Sequence, residues 1–267
     1  MISIKEVANV LWDSIKATWE DLFSLMLMNL VTVLPIILAV LLSFAMAWAW
    51  EAGYQTLAMI LLATGGLLPL LLLPPAIAGL WNTANRLVEG LAIHWSDYWE
   101  GFRRYFWKSL ALALVNVVTL AILGANVWFY APGNNPWGLD SGLSSAIQIF
   151  FVILIALWLI YQMYPLAMLL EQTDQRLRTA LRNAGVLLIT RPGFAILLGL
   201  ALAVVIAIST YLIVLWFLIT LPLIAVVCNK AVKHLLIPYR ERAAEAEDEN
   251  RDEPLEEDES EIVTRLE

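Results

Sequence analysis

The chain has 267 residues, of which 61% are hydrophobic and only 15% charged, with a mean hydropathy of +0.75. That is too apolar for a water-soluble domain to cover with polar surface, so the bilayer must act as the solvent. Net charge is −8, but residues 241–267 hold 13 Asp/Glu against 3 Lys/Arg, a local −10 that leaves about +2 for the rest. Acidity is therefore a property of the end of the chain. Such a stretch, almost without aromatics, cannot bury enough apolar surface to offset its ordering entropy, and it reads as a disordered acidic tail, either docking or merely solubilising.

In chain order, the first twenty residues set Lys5, Glu6, Asp13, Lys16 and Glu20 among Val7, Val10, Leu11, Trp12, Ile15 and Trp19. This predicts an amphipathic helix at a membrane interface and not a cleavable signal. A span needs about 20 mostly apolar residues. Residues 22–50, 57–81, 110–130 and 146–170 qualify, and 194–227 forms an uncharged apolar run too long for one crossing.

Basic residues decide how that run is cut. Arg86, Arg103, Arg104 and Lys108 follow the second span; Arg176, Arg178, Arg182 and Arg191 follow the fourth; Lys230, Lys233, Arg240 and Arg242 follow the long run. The loops after the first and third spans contain no Lys or Arg. The positive-inside rule then predicts six spans with both termini cytoplasmic and a turn near Ser209, Thr210 and Tyr211, five spans being the alternative. The fold class expected is all-α integral membrane, with a six-span domain over 1–240 and the tail over 241–267.

An internal repeat accompanies this pattern. With an offset of 87, Trp12 falls on Trp99, Asp13 on Glu100, Lys16 on Arg103, Trp19 on Phe106 and Asn29 on Asn116. A weaker third copy begins at Thr179, and Pro75, Pro165 and Pro222 are each followed seven residues later by an amide, at Asn82, Gln172 and Asn229. Three parallel copies (8–90, 95–172, 175–236) are predicted, each a cytoplasmic amphipathic helix, a span, and a returning span broken by proline, with a pseudo-three-fold arrangement open to them. The five amides Asn29, Asn82, Asn116, Gln172 and Asn229 either line a polar centre or join helices by hydrogen bonds. Other polar span residues are Thr32, Thr119, Gln148, Gln162, Ser209, Thr210 and Thr220.

The chemical signals point away from catalysis. No GxSxG, P-loop, GxGxxG or HExxH occurs, the predicted span interiors hold no ionisable group, and one cysteine, Cys228, excludes an internal disulfide and a Cys-based zinc site. No cofactor or metal is expected, and the chain is read as non-enzymatic. Arg103, Arg104, Trp107 and Lys108 alternate cations with rings just before a span, which suits an anionic inner leaflet; nucleic acid is not an expected partner.

MNLVTVLP at 28–35, PPAIAGLWNTANRLVEG at 74–90, SDYWEGFRRYFWKSL at 96–110, YPLAMLLEQTDQRLRTALRNA at 164–184 and LPLIAVVCNKAVKHLL at 221–236 together resemble the YesL-like bacterial membrane proteins. The acidic tail and extra apolar residues before Pro74 depart from that pattern. The resemblance implies a bacterial inner-membrane protein of uncharacterised activity, beside carbohydrate uptake systems, and it carries over no catalytic residues. The functional expectation is an accessory or assembly partner of another membrane system such as a carbohydrate transporter, with the bilayer and a transporter subunit as partners. The alternative is a transporter or channel for a small neutral or amphipathic solute.

Overall fold

A computed structural model describes residues 4–131, 134 and 138–252. Among the described residues the chain is mostly helical and has no strand. The elements are α1 (Ile4–Glu20), α2 (Leu22–Glu51), α3 (Gln55–Val88), α4 (Trp95–Arg104), α5 (Phe106–Phe129), α6 (Ser141–Tyr161), α7 (Pro165–Glu171), α8 (Leu177–Thr190), α9 (Pro192–Tyr211), a π-helical segment (Trp216–Thr220) and α10 (Leu221–Asp252).

Among the described residues six stretches are long and apolar enough to cross a bilayer: Leu22–Glu51, Gln55–Val88, Phe106–Phe129, Ser141–Glu171, Pro192–Tyr211 and Trp216–Arg242. The protein is a multi-pass membrane protein. The long apolar run is divided in two, as its basic flanks require. The backbone leaves helix at Leu212 and Ile213, one residue past the predicted turn. Thr220 Oγ1 donates to Ser209 Oγ at 2.7 Å across the turn, which holds the two arms side by side without a Gly or Pro.

Two compact units are distinguished, Met1–Val232 and Lys233–Glu267. The first contains the buried core. Within the second, α10 carries the chain as helix to Asp252, so the start of the acidic stretch is helical; residues 253–267 of the expected disordered tail lie outside the described residues.

The three returning spans respond differently to proline. A proline removes one backbone donor and crowds the preceding turn, and in a membrane the freed carbonyl must find a neighbour. The expectation that each returning span is broken is corrected for α3, which runs as one 34-residue helix through Pro69, Pro74 and Pro75. Helices α2, α4, α5 and α7 all pack on it. The fourth span is interrupted at residues 162–164, just before Pro165. The sixth widens into the π segment immediately before Pro222.

The shorter helices have defined faces. Helix α1 buries Val7, Val10, Ser14 and Thr18 and exposes Trp12 and Trp19, each at 69%. Two of its acids pair with bases later in the chain, Glu6 with Arg191 between α8 and α9 at 3.6 Å and Asp13 with Lys230 of α10 at 3.4 Å.

Candidate functional site

Helices α3 and α4 cross closely. A Cβ at Gly101 would stand 2.5 Å from Asn82 Cβ and 3.0 Å from Gly79 Cα, and one at Gly79 would stand 2.7 Å from the Tyr98 carbonyl oxygen. Only glycine permits that approach. The approach lets Asn82 Nδ2 donate to the Asp97 carbonyl at 2.8 Å.

Asp97 organises the start of α4. It is only 4% exposed, and its Oδ2 accepts the His94 backbone N–H at 2.8 Å while Oδ1 faces Arg86 Nη1 at 3.2 Å. A carboxylate here answers the orphan donors and the positive end of the helix. Tyr98, fully buried, meets the Thr32 hydroxyl of α2 at 3.1 Å; burial raises its phenol above the ordinary 10.0, and the Thr32 bond opposes that rise. Replacing Asp97 with alanine should cost about 1–2 kcal/mol, the worth of a helix cap plus a partly exposed ion pair. Asp97→Asn, which keeps an oxygen for His94, should recover most of it. Urea or mixed-micelle unfolding midpoints would show this, and equal midpoints for Asp97→Ala and the parent would exclude a capping role.

Four of the five amides bond, each to a different place. Asn29, wholly buried, donates through Nδ2 to the Trp216 and Phe217 carbonyls, both at 2.8 Å. In the register of a π turn, the Phe217 carbonyl points to residue 222, a proline with no N–H, so Asn29 supplies the missing donor. Asn229 Nδ2 donates to the Trp81 carbonyl at 3.2 Å and to Ala225 at 2.8 Å. Asn116 Oδ1 accepts the Trp158 indole N–H at 2.9 Å. Gln172 follows the last residue of α7, where both its amide atoms are buried without a hydrogen-bond partner. Asn29 and Asn116, paired by the sequence offset, thus do different things: one repairs the backbone of the last span, the other anchors a ring within its own hairpin.

The basic segment is partly engaged. Arg104 bonds to Glu100 Oε1 at 3.3 Å and to Gln175 Oε1 at 3.2 Å, and Lys108 Nζ lies 5.5 Å from the centre of the Tyr105 ring. Arg103 is exposed and Trp107 is 79% exposed. Burial raises the Tyr105 phenol, and the neighbouring Arg104 charge opposes it.

Two apolar cavities open between the helices. The larger, about 580 Å³, lies between α3, α5 and the α6–α7 interruption, against Pro69, Leu73, Leu112 and Ala113. The smaller, about 450 Å³, lies between α6, α9 and the last span, against Ile160, Gly199 and Ala203. Trp81 and Gln162 border both. Sequence reasoning noted Gln162 only as one polar residue among several, and a glutamine three residues before Pro165, where the helix is interrupted, is the signal that singles it out.

No protein-family model, curated protein or solved structure matches the chain.

Proposed function

We propose that this chain is a non-enzymatic protein of the bacterial cytoplasmic membrane, with both termini inside, serving as an accessory or assembly partner of another membrane system such as a carbohydrate transporter. The observation that carries the reading is how the span amides are used: Asn29, Asn82, Asn116 and Asn229 hold backbone or ring groups of neighbouring elements. Amides of that kind act as interhelical glue. The order of elements, a shorter helix followed by two spans, occurs three times and supports the parallel-repeat reading. The exposed rings and cations at Arg103 and Trp107 support contact with an anionic inner leaflet.

Affinity purification from native membranes in mild detergent, with mass spectrometry of co-purifying proteins against an unrelated six-span control, tests this. A stoichiometric transporter or other membrane subunit is the expected result. Recovery of the chain alone, with no partner above control, would overturn it. A second reading, a carrier for a small amphipathic solute, is favoured by the cavity between α3 and α5.

A further inference from the structure

The larger cavity has the form of a slot. On α3 it is lined from Gly66 to Trp81, fifteen positions or about 22 Å of helix, and on α5 from Ser109 to Val117, about 12 Å. Half the hydrocarbon core of a bilayer is about 15 Å, so the slot matches the length of one leaflet's chains. Leu70 and Val117, each 56% exposed, stand at its side, where a span meets lipid.

Besides the Trp81 indole, three polar side chains line the slot, and two of these three are already engaged. The Ser109 hydroxyl donates to Phe106 at 2.9 Å, and Asn116 Oδ1 is held by Trp158. Gln162 differs, because its Nε2 is shielded from solvent and has no hydrogen-bond acceptor. A buried amide donor left unsatisfied costs about 1–3 kcal/mol, which an acceptor in the slot would recover.

The required occupant is thus long, apolar, and equipped with an acceptor but few donors. A sugar fails this test, since each of its hydroxyls would need a partner that this lining does not offer. Water fails it too, since a stable buried water needs two to four polar partners. An ester carbonyl at the head of an acyl chain meets it. We propose that the slot between α3 and α5 is a binding site for a membrane glycerolipid, one acyl chain lying along Leu73, Ile77, Leu112 and Ala113 and its ester carbonyl accepting the Gln162 side-chain N–H. The site needs no protein partner, and its test is independent of the accessory role.

The full chain is reconstituted into phosphatidylethanolamine–phosphatidylglycerol vesicles containing a trace of phosphatidylglycerol with a diazirine-bearing acyl chain, then photolysed, and adducts are mapped by mass spectrometry. Adducts at Leu73, Ile77, Leu112 and Ala113 should exceed those at the outward Leu114 and Ile153 at least fivefold. Ala113→Phe, which fills the slot, should cut the slot adducts at least fivefold and leave the outward ones unchanged. Unlabelled diester lipid should displace the label at least fivefold better than its dialkyl-ether analogue, and Gln162→Leu should abolish that preference. Even labelling of slot and outward positions in the parent protein overturns the proposal without any variant. Equal competition by ester and ether overturns the role of Gln162, and loss of slot adducts to a soluble sugar assigns the site to a different ligand.

Discussion

Gly101→Ala is expected to destabilise the helical assembly by about 3 kcal/mol, the upper end of what a single added methyl costs in a packed interior. The reason is that the new Cβ meets backbone as well as side chain: Gly79 Cα at 3.0 Å and the Ala78 carbonyl at 3.1 Å cannot rotate away as a flexible side chain would. Relief requires α4 to back off from α3, which would stretch the Asn82 bond to Asp97 and the Arg86 ion pair together. Gly124→Ala is the comparison, because nothing lies within 4 Å of its Cβ position and alanine in a helix interior gains about 0.5–1 kcal/mol over glycine. Unfolding of both variants in mixed micelles should give midpoints displaced in opposite directions. A Gly101→Ala midpoint equal to the parent's would mean that the crossing is looser than its distances state.

The second large effect concerns Asn29. Removing its amide with Asn29→Leu leaves the Phe217 carbonyl, which Pro222 cannot answer, without a donor inside an apolar setting and takes a second bond from Trp216, at a cost of about 2 kcal/mol. The distinguishing measurement is a double-mutant cycle with Pro222→Ala. An alanine at 222 restores a backbone N–H, so the last span can satisfy its own carbonyls and the loss of Asn29 should then matter less. A coupling of about 1 kcal/mol in that direction is expected. Strict additivity would show that Asn29 and Pro222 act separately.

These residues also mark what could be read in advance. The six apolar helices followed from length, hydropathy and the placing of arginine and lysine, because crossing a bilayer is a requirement on composition that a linear sequence displays directly. Splitting the run after Phe194 needed only the basic residues on its two sides, although the turn itself carries no Gly or Pro and is held by the Ser209–Thr220 pair. The amides were visible as candidates, yet their roles were not, since a hydrogen bond between Asn29 and Phe217 spans 188 positions and depends on which helices become neighbours. Proline spacing misled at Pro75 for the same reason: whether a helix breaks there depends on the helices packed on it, and four of them contact α3. The glycine crossing left a faint trace in Gly79 and Thr83, small residues four apart, a spacing that close helix pairs favour. The slot between α3 and α5 left none, because a cavity is defined by contacts that side chains do not make.

The reach of the Asn29 bond has a consequence for how the protein is made. Its partners are synthesised 187 and 188 residues later. At translation rates of 5–20 residues per second, the first span waits roughly 10 to 40 s in the membrane with its buried amide unanswered. During that interval the nascent chain exposes to the bilayer a polar group that the finished protein conceals. Completion of the final span is therefore the step that gives that donor its acceptors.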